Sequence, residues 1–138
     1  MATTIRKVSY AYVSAPSKPG AAARVLQSLQ DANVNLLAFS GFPRGRNTAQ
    51  IDVVTDDLDG LKGVARAQKW KLSRIKHAFL VQGADEVGAA VAPLAKMGVA
   101  NINVIAADAI AAGEGRFGMI FWVDARNYNR AAKLLDAA

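Results

Sequence analysis

The residues of this chain best placed to do chemistry are backbone donors held in a loop. Ser14-Ala15-Pro16-Ser17-Lys18-Pro19-Gly20 precedes a helical run, Ala21 to Ala32, and then Asn33-Val34-Asn35-Leu36. This order reads as a strand end, a tight loop, a helix opening on Pro-Gly, and a second strand reached through Asn. Ser17 can cap the helix, Pro19 fits a first turn where a missing N–H costs nothing, and Gly20 allows close backbone approach. The N–H groups left facing the loop suit a carboxylate or another small anion.

Other chemistries find little support. With no Cys there is no disulfide, no thiolate metal site and no Cys nucleophile. His77 is the single His, in an apolar strand, with no second His or Cys to complete a metal ligand set. Ser40 or Ser73 would need His77 across the fold to act as a nucleophile, so no catalytic residue, metal or cofactor is assigned.

The loop recurs. An ungapped offset of 68 carries Gly20 onto Gly88, Leu26 onto Leu94, and Asn33-Val34-Asn35 onto Asn101-Ile102-Asn103. The same offset carries Ser17 onto Asp85 and Asp56 onto Asp124. A period near half the length of a 138-residue chain means two copies of one supersecondary unit, each marginal alone. The expected modules are 1–75 and 76–138, joined near Ile75 without a Pro-, Gly- or Ser-rich linker and therefore packed rigidly.

Composition sets the class. Hydrophobic residues at 52% suffice for a packed core, and 20% charged residues argue against a disordered tail. Met1-Ala2-Thr3-Thr4 leads directly into charge and a strand, and no long apolar run follows, so neither a signal peptide nor a membrane span is expected. A cytoplasmic location fits. A net charge of +6 keeps nucleic acid or an acidic partner in view.

The elements that must position the loops follow from periodicity. Val8, Tyr10 and Tyr12 alternate with Ser9, Ala11 and Val13 in a strand over 7–13; Ala22, Val25, Leu26 and Leu29 form a helical stripe over 18–31. Strands are expected over 36–42 and 48–55, the second with a polar face of Gln50 and Asp52, and a helix from Asp56 to about Lys69. The second copy repeats this order with a strand at 76–83, a helix at 86–97, strands at 101–107 and 116–124, and a helix at 127–136. Pro93 should kink or shorten its helix. Ile120 and Trp122 make the 116–124 strand apolar on both faces, which predicts that its outer face is covered, most simply by a second chain. The second copy also lacks a last strand of its own; residues 2–6, residues 72–75 or a partner must fill that edge.

Strand, helix, strand, strand, helix, strand in each copy is the ferredoxin-like arrangement: α+β, two βαββαβ modules, each an antiparallel sheet with both helices on one face. Lys18-Pro19-Gly20, Val25-Leu26, Leu29 and Asn33-Val34-Asn35-Leu36 resemble the signature of the ACT domain family, small regulatory modules that bind amino acids. The second copy, Val87-Gly88 through Leu94, Met97 to Val99 and Asn101-Ile102-Asn103-Val104, is similar but lacks the Pro before Gly. Together the copies cover nearly the whole chain, as in a stand-alone tandem ACT protein.

The resemblance implies a ligand where two modules pair, held by Ala15, Pro16, Ser17, Lys18, Pro19, Gly20 and Asn35 in the first copy and Ala84, Asp85, Glu86, Val87, Gly88 and Asn103 in the second. Loop N–H groups suit an α-carboxylate, and an Asn amide or a backbone carbonyl suits an α-ammonium. Asp85 and Glu86 would repel a carboxylate, which favours the first loop. Plainer readings stand beside these: Gly20 and Gly88 as close-packing residues, Asn35 and Asn103 as turn residues.

The function expected is an amino-acid sensor, a homodimer acting on a regulated enzyme and catalysing nothing itself. The alternative is a module that binds nucleic acid or an acidic partner through Arg66, Lys69, Lys71, Arg74 and Lys76. Tyr10 and Tyr12 are comparable to base-stacking aromatics of RNA-binding sheets, but the matching aromatic run on the third strand is missing, so core packing is favoured. A third reading keeps the fold as a dimerisation device without a ligand.

Overall fold

The computed structural model describes residues 2–138; Met1, the first residue of the reading at Met1–Thr4, lies outside the described residues. The elements are β1 (Thr4–Pro16), α1 (Ala21–Asp31), β2 (Ala38–Pro43), β3 (Thr48–Val54), α2 (Leu58–Gln68), β4 (Lys76–Ala84), α3 (Val91–Val99), β5 (Val104–Gly113), β6 (Arg116–Val123) and α4 (Tyr128–Leu135). The chain is α+β with the order β-α-β-β-α twice, from β1 to α2 and from β4 to α4.

Two compact units divide it: Ser9–Lys76, and the segment ending at Val8 together with His77–Ala138. In Ser9–Lys76 the strand order is β2-β3-β1. β1 runs antiparallel to β3 from Tyr10↔Val54 to Pro16↔Thr48, and β2 to β3 from Ala38↔Val54 to Pro43↔Ala49. Because side chains alternate along a strand, Ala11, Val13 and Ala15 share one face, where they meet Ile51 and Val53. Val25 and Leu29 of α1 and Leu61 and Val64 of α2 close over the same cluster, so both helices lie on one side. Leu29 and Leu61 are almost wholly buried, each contributing about 1.5–3 kcal/mol.

In the other unit the order is β1-β4-β6-β5, with Thr4–Val8 supplying the β1 part. Phe79 and Val81 of β4 and Met119, Phe121 and Val123 of β6 pack with Met97, Ala131 and Leu135 from the helices. The Phe79 and Phe121 rings lie 5.3 Å apart. Tyr128 stacks on Phe79 at 4.5 Å and donates its hydroxyl to the Ala78 carbonyl at 2.9 Å. Ile5 joins this core; its carbonyl accepts from the Ala138 N–H at 3.1 Å, and the Lys7 N–H donates to the Ala138 carbonyl at 2.9 Å. The place of a last strand is thus taken by the beginning of the chain.

Several expectations change. Ser17 does not cap α1: the cap position is Gly20, at φ 84°, without a side-chain hydrogen bond, and the helix begins at Ala21 rather than Lys18. α3 begins at Val91 rather than Glu86, which puts Pro93 in the first turn, where its missing N–H breaks no bond; the proline shortens the helix instead of kinking it. β5 extends to Gly113 because Glu114 and Gly115, at φ 55° and 71°, close a two-residue turn with both residues left-handed. Gln50 and Asp52 are polar but not exposed: both are buried, Arg44 donates to Gln50 Oε1, and Gln50 Nε2 donates to Asp52 Oδ1 at 2.8 Å. Ile120 and Trp122 are 7% and 5% exposed in the single chain, so covering them needs no second chain.

Candidate ligand-binding site

The first loop is built by four backbone bonds. Ser17 N–H donates to the Asn47 carbonyl at 2.9 Å, Lys18 N–H to Pro16 at 3.0 Å, Ala21 N–H to Lys18 at 3.2 Å, and Arg24 N–H to Gly20 at 3.0 Å. Gly20 is required by its φ of 84°, a conformation that costs a side chain dearly. The N–H groups of Ala22 and Ala23 have no acceptor inside the helix, and no acidic side chain lies in its first turn. Beside Ala22 opens a cavity of about 300 Å³. Pro16, Ser17, Lys18, Ala21 and Ala22 form one wall; Phe39, Gly41, Phe42 and Pro43 of β2 form the other. Lys18 is exposed and Ala15 is buried under the loop. The loop therefore offers amide donors and one cation next to an apolar, aromatic wall.

Phe39 and Phe42, both about two-fifths exposed, were missed by sequence reasoning. Their signal is faint: two aromatics on a short strand, three apart and thus on opposite faces of an ideal strand.

The second loop repeats the turn of the first, although its helix begins three residues after Gly88 rather than directly after Gly20. Asp85 N–H donates to the Gly115 carbonyl at 2.9 Å and Ala89 N–H to Glu86 at 3.0 Å, each the counterpart of a first-loop bond at the 68-residue offset, and Gly88 stands at φ 75°. Its chemistry differs. Asp85 and Glu86 are exposed carboxylates, Val87 is fully exposed, Ala84 is half-buried, and Pro93 removes a first-turn donor that α1 retains.

Asn35 and Asn103 are not brought to these loops. Asn35 follows the far end of α1, an 11-residue helix about 16 Å long, and lines a separate depression of about 540 Å³ with Leu26, Gln30, Asn33 and Leu36. Its carbonyl accepts from the Thr55 hydroxyl at 2.7 Å. Asn103 likewise follows the far end of α3. The residues that demand explanation are their neighbours Asn33 and Asn101, both left-handed at φ 58°.

The basic run is dispersed. Arg66 and Lys69 end α2, Lys71 and Arg74 are exposed beyond it, and Lys76 starts β4. Lys76 Nζ and Arg44 Cζ lie 5.7 and 5.6 Å from the Tyr12 ring centroid, so that ring is already engaged by cations. Among the described residues no group of three or more His, Asp or Glu is placed to hold a metal. No described helix is long and apolar enough to cross a membrane.

As a sequence the chain matches no family model, and no curated protein matches it. Solved structures do resemble it. Protein BT0572 from Bacteroides thetaiotaomicron superposes with a TM-score of 0.76 at 14% identity, over 97% of this chain and 88% of that one. The ligand-free regulatory subunit of aspartate kinase from Thermus thermophilus gives 0.62 at 15% identity, over 99% and 95%. This chain shares their fold. Aspartokinase III from E. coli, solved in complex with aspartate and ADP, gives 0.51 at 15% identity, over 97% of this chain and 32% of that larger one. The likeness in fold thus extends to a regulatory subunit and to a segment of a larger kinase chain.

Proposed function

We propose that this chain is a regulatory ligand-binding protein that takes a free amino acid at the loop between β1 and α1 and performs no catalysis. The observation that carries the reading is that loop's cavity: first-turn amides and Lys18 on one wall suit a carboxylate, and Phe39, Phe42, Pro16 and Pro43 suit an apolar side chain. The likeness to aspartate kinase regulatory subunits supports it. The first loop binds in preference to the second, where Asp85, Glu86 and Pro93 oppose an anion. Asn35 and Asn103 serve only where another module brings them to a loop. Occupancy is read by a partner, most simply a regulated enzyme, because the ligand favours one loop arrangement over another.

The test is thermal unfolding against each amino acid at millimolar concentration. A ligand bound only by the folded chain adds about 2.7 kcal/mol at a hundredfold excess over Kd, several degrees for modules of this size. A selective rise that Gly20→Asp abolishes supports the reading. A panel flat for all amino acids, or a rise indifferent to Gly20→Asp, refutes the site.

A further inference from the structure

The cavity beside the β1–α1 loop is furnished for one end of an amino acid and not for the other. Among the residues that line it Lys18 is the only charged one, and no Asp, Glu, Asn or Gln is present. The single side-chain acceptor is the Ser17 hydroxyl. The loop carbonyls of Pro16 and Lys18 already accept from the Lys18 and Ala21 N–H groups. Asn35, whose amide would suit an α-ammonium, lies beyond the far end of α1, a helix of 11 residues about 16 Å long.

Charge around the loop has one sign. Arg44 and Arg46 stand in the turn between β2 and β3, whose Asn47 carbonyl holds the Ser17 N–H. A Cβ on Gly20 would lie 3.3 Å from Arg24 Nη1, so the Arg24 guanidinium lies over the loop as well. The carboxylates of the Ser9–Lys76 unit are elsewhere. Asp31 ends α1, and Asp56, Asp57 and Asp59 stand where α2 begins, all at the opposite end of the strands; Asp52 is buried beside Gln50. An ammonium brought to the cavity enters a field of its own sign with little to accept its protons, whereas a carboxylate meets Lys18 and free loop N–H groups.

We infer that this cavity reads the carboxylate and the apolar side chain of its ligand and not the ammonium, so that it takes an α-keto acid with an aromatic or branched aliphatic side chain in preference to the corresponding amino acid. The inference rests on the reading of the cavity as the ligand site. In an α-keto acid a carbonyl oxygen stands where the amino acid carries its ammonium. Three donors in need of acceptors give way to one acceptor that faces donors. Phe39, Phe42, Pro16 and Pro43 take the side chain, and a volume of about 300 Å³ admits one ring or a branched chain.

The second loop supplies a variant that inverts the preference. At the 68-residue offset Asp85 replaces Ser17, and its N–H donates to the Gly115 carbonyl at 2.9 Å as the Ser17 N–H donates to Asn47. An aspartate therefore suits this backbone, and Ser17→Asp adds the acceptor that an ammonium lacks.

The test titrates the full chain by calorimetry with matched pairs, phenylalanine against phenylpyruvate and leucine against α-ketoisocaproate. The keto acid of a pair should bind about three- to tenfold more tightly, the effect of removing a like charge beside a surface cation. Hydrocinnamate, which lacks only the ammonium, should bind at least as well as phenylalanine, and phenethylamine, which lacks only the carboxylate, should not bind. Ser17→Asp should weaken the keto acids most and bring the order of each pair to equality or reversal. Keto acids that bind no more tightly than their amino acids, phenethylamine that binds like phenylalanine, or an order unmoved by Ser17→Asp would overturn the inference and leave the amino-acid reading standing. Keto acids that bind where amino acids do not would uphold the inference and end that reading, and a chain that binds none of these compounds would overturn both. If Ser17→Asp fails to fold, the order in the wild type decides.

Discussion

Asn33 and Asn101 occupy the same place in the two copies and adopt the same left-handed backbone, φ 58° in each. Around them the Val34 N–H reaches back to the Leu29 carbonyl at 2.9 Å, and the Ile102 N–H to Met97 at 2.8 Å, so each helix ends in the motif that satisfies its last carbonyls. Asn is among the few side chains that tolerate this conformation. Substituting either by Ala should cost about 1–2 kcal/mol and either by Gly almost nothing, measured as urea midpoints at unchanged slope.

The glycines of α2 separate in sign. A Cβ at Gly60 would stand 2.9 Å from Val34 Cγ2 and would also clash with the Asp57 carboxylate, which caps the helix by accepting from the Gly60 N–H at 2.9 Å. Nothing lies within 4 Å of one at Gly63. Gly63→Ala should stabilise by about 0.5–1 kcal/mol through helix propensity, and Gly60→Ala should destabilise, both read by thermal unfolding.

Burial pushes the Tyr128 phenol up to about 12 from its usual 10.0. A raised value in the folded state means folding favours the neutral phenol. That stabilisation is complete below pH 10 and disappears as pH rises from 10 through 12. Ultraviolet titration should show a tyrosine ionising well above pH 10, and Tyr128→Phe should remove that step at a cost of about 1 kcal/mol for the lost bond to Ala78.

Thr55 is 1% exposed; its hydroxyl donates to the Asn35 carbonyl at 2.7 Å and accepts from the Asp57 N–H at 3.0 Å. Thr55→Val keeps the shape but removes the partner of two backbone groups. A loss of about 1–3 kcal/mol is expected, with hydrogen exchange accelerated at the start of α2.

The loops give the last prediction. Gly20→Ala and Gly88→Ala both place a methyl at positive φ and should each cost about 1–3 kcal/mol. Only Gly20→Ala should also weaken amino-acid binding, measured by calorimetry. Equal loss in both would move the site to the second loop as well.

The chain by itself determined its elements and their repetition. Val8, Tyr10 and Tyr12 alternating with Ser9, Ala11 and Val13 make a strand whatever lies around it, and Val25 with Leu29 makes a helical stripe, because these periods are properties of the backbone. The repeat was legible for the same reason: Gly20 and Gly88, and Asn33 and Asn101, answer a local demand for left-handed or unhindered backbone. Tertiary structure decided what depends on neighbours. Ser17 is a good cap in isolation, yet its N–H is held by Asn47 at the end of the β1–β3 pair and the helix begins after it. Asp52 reads as a solvent residue from alternation alone and is instead buried beside Gln50. Ile120 and Trp122 looked in need of a second chain until the first proved to bury them, while β5, modest in sequence, emerged as the uncovered edge. Burial is a sum over contacts distant in sequence, so periodicity names the face of an element, and only packing says what covers it.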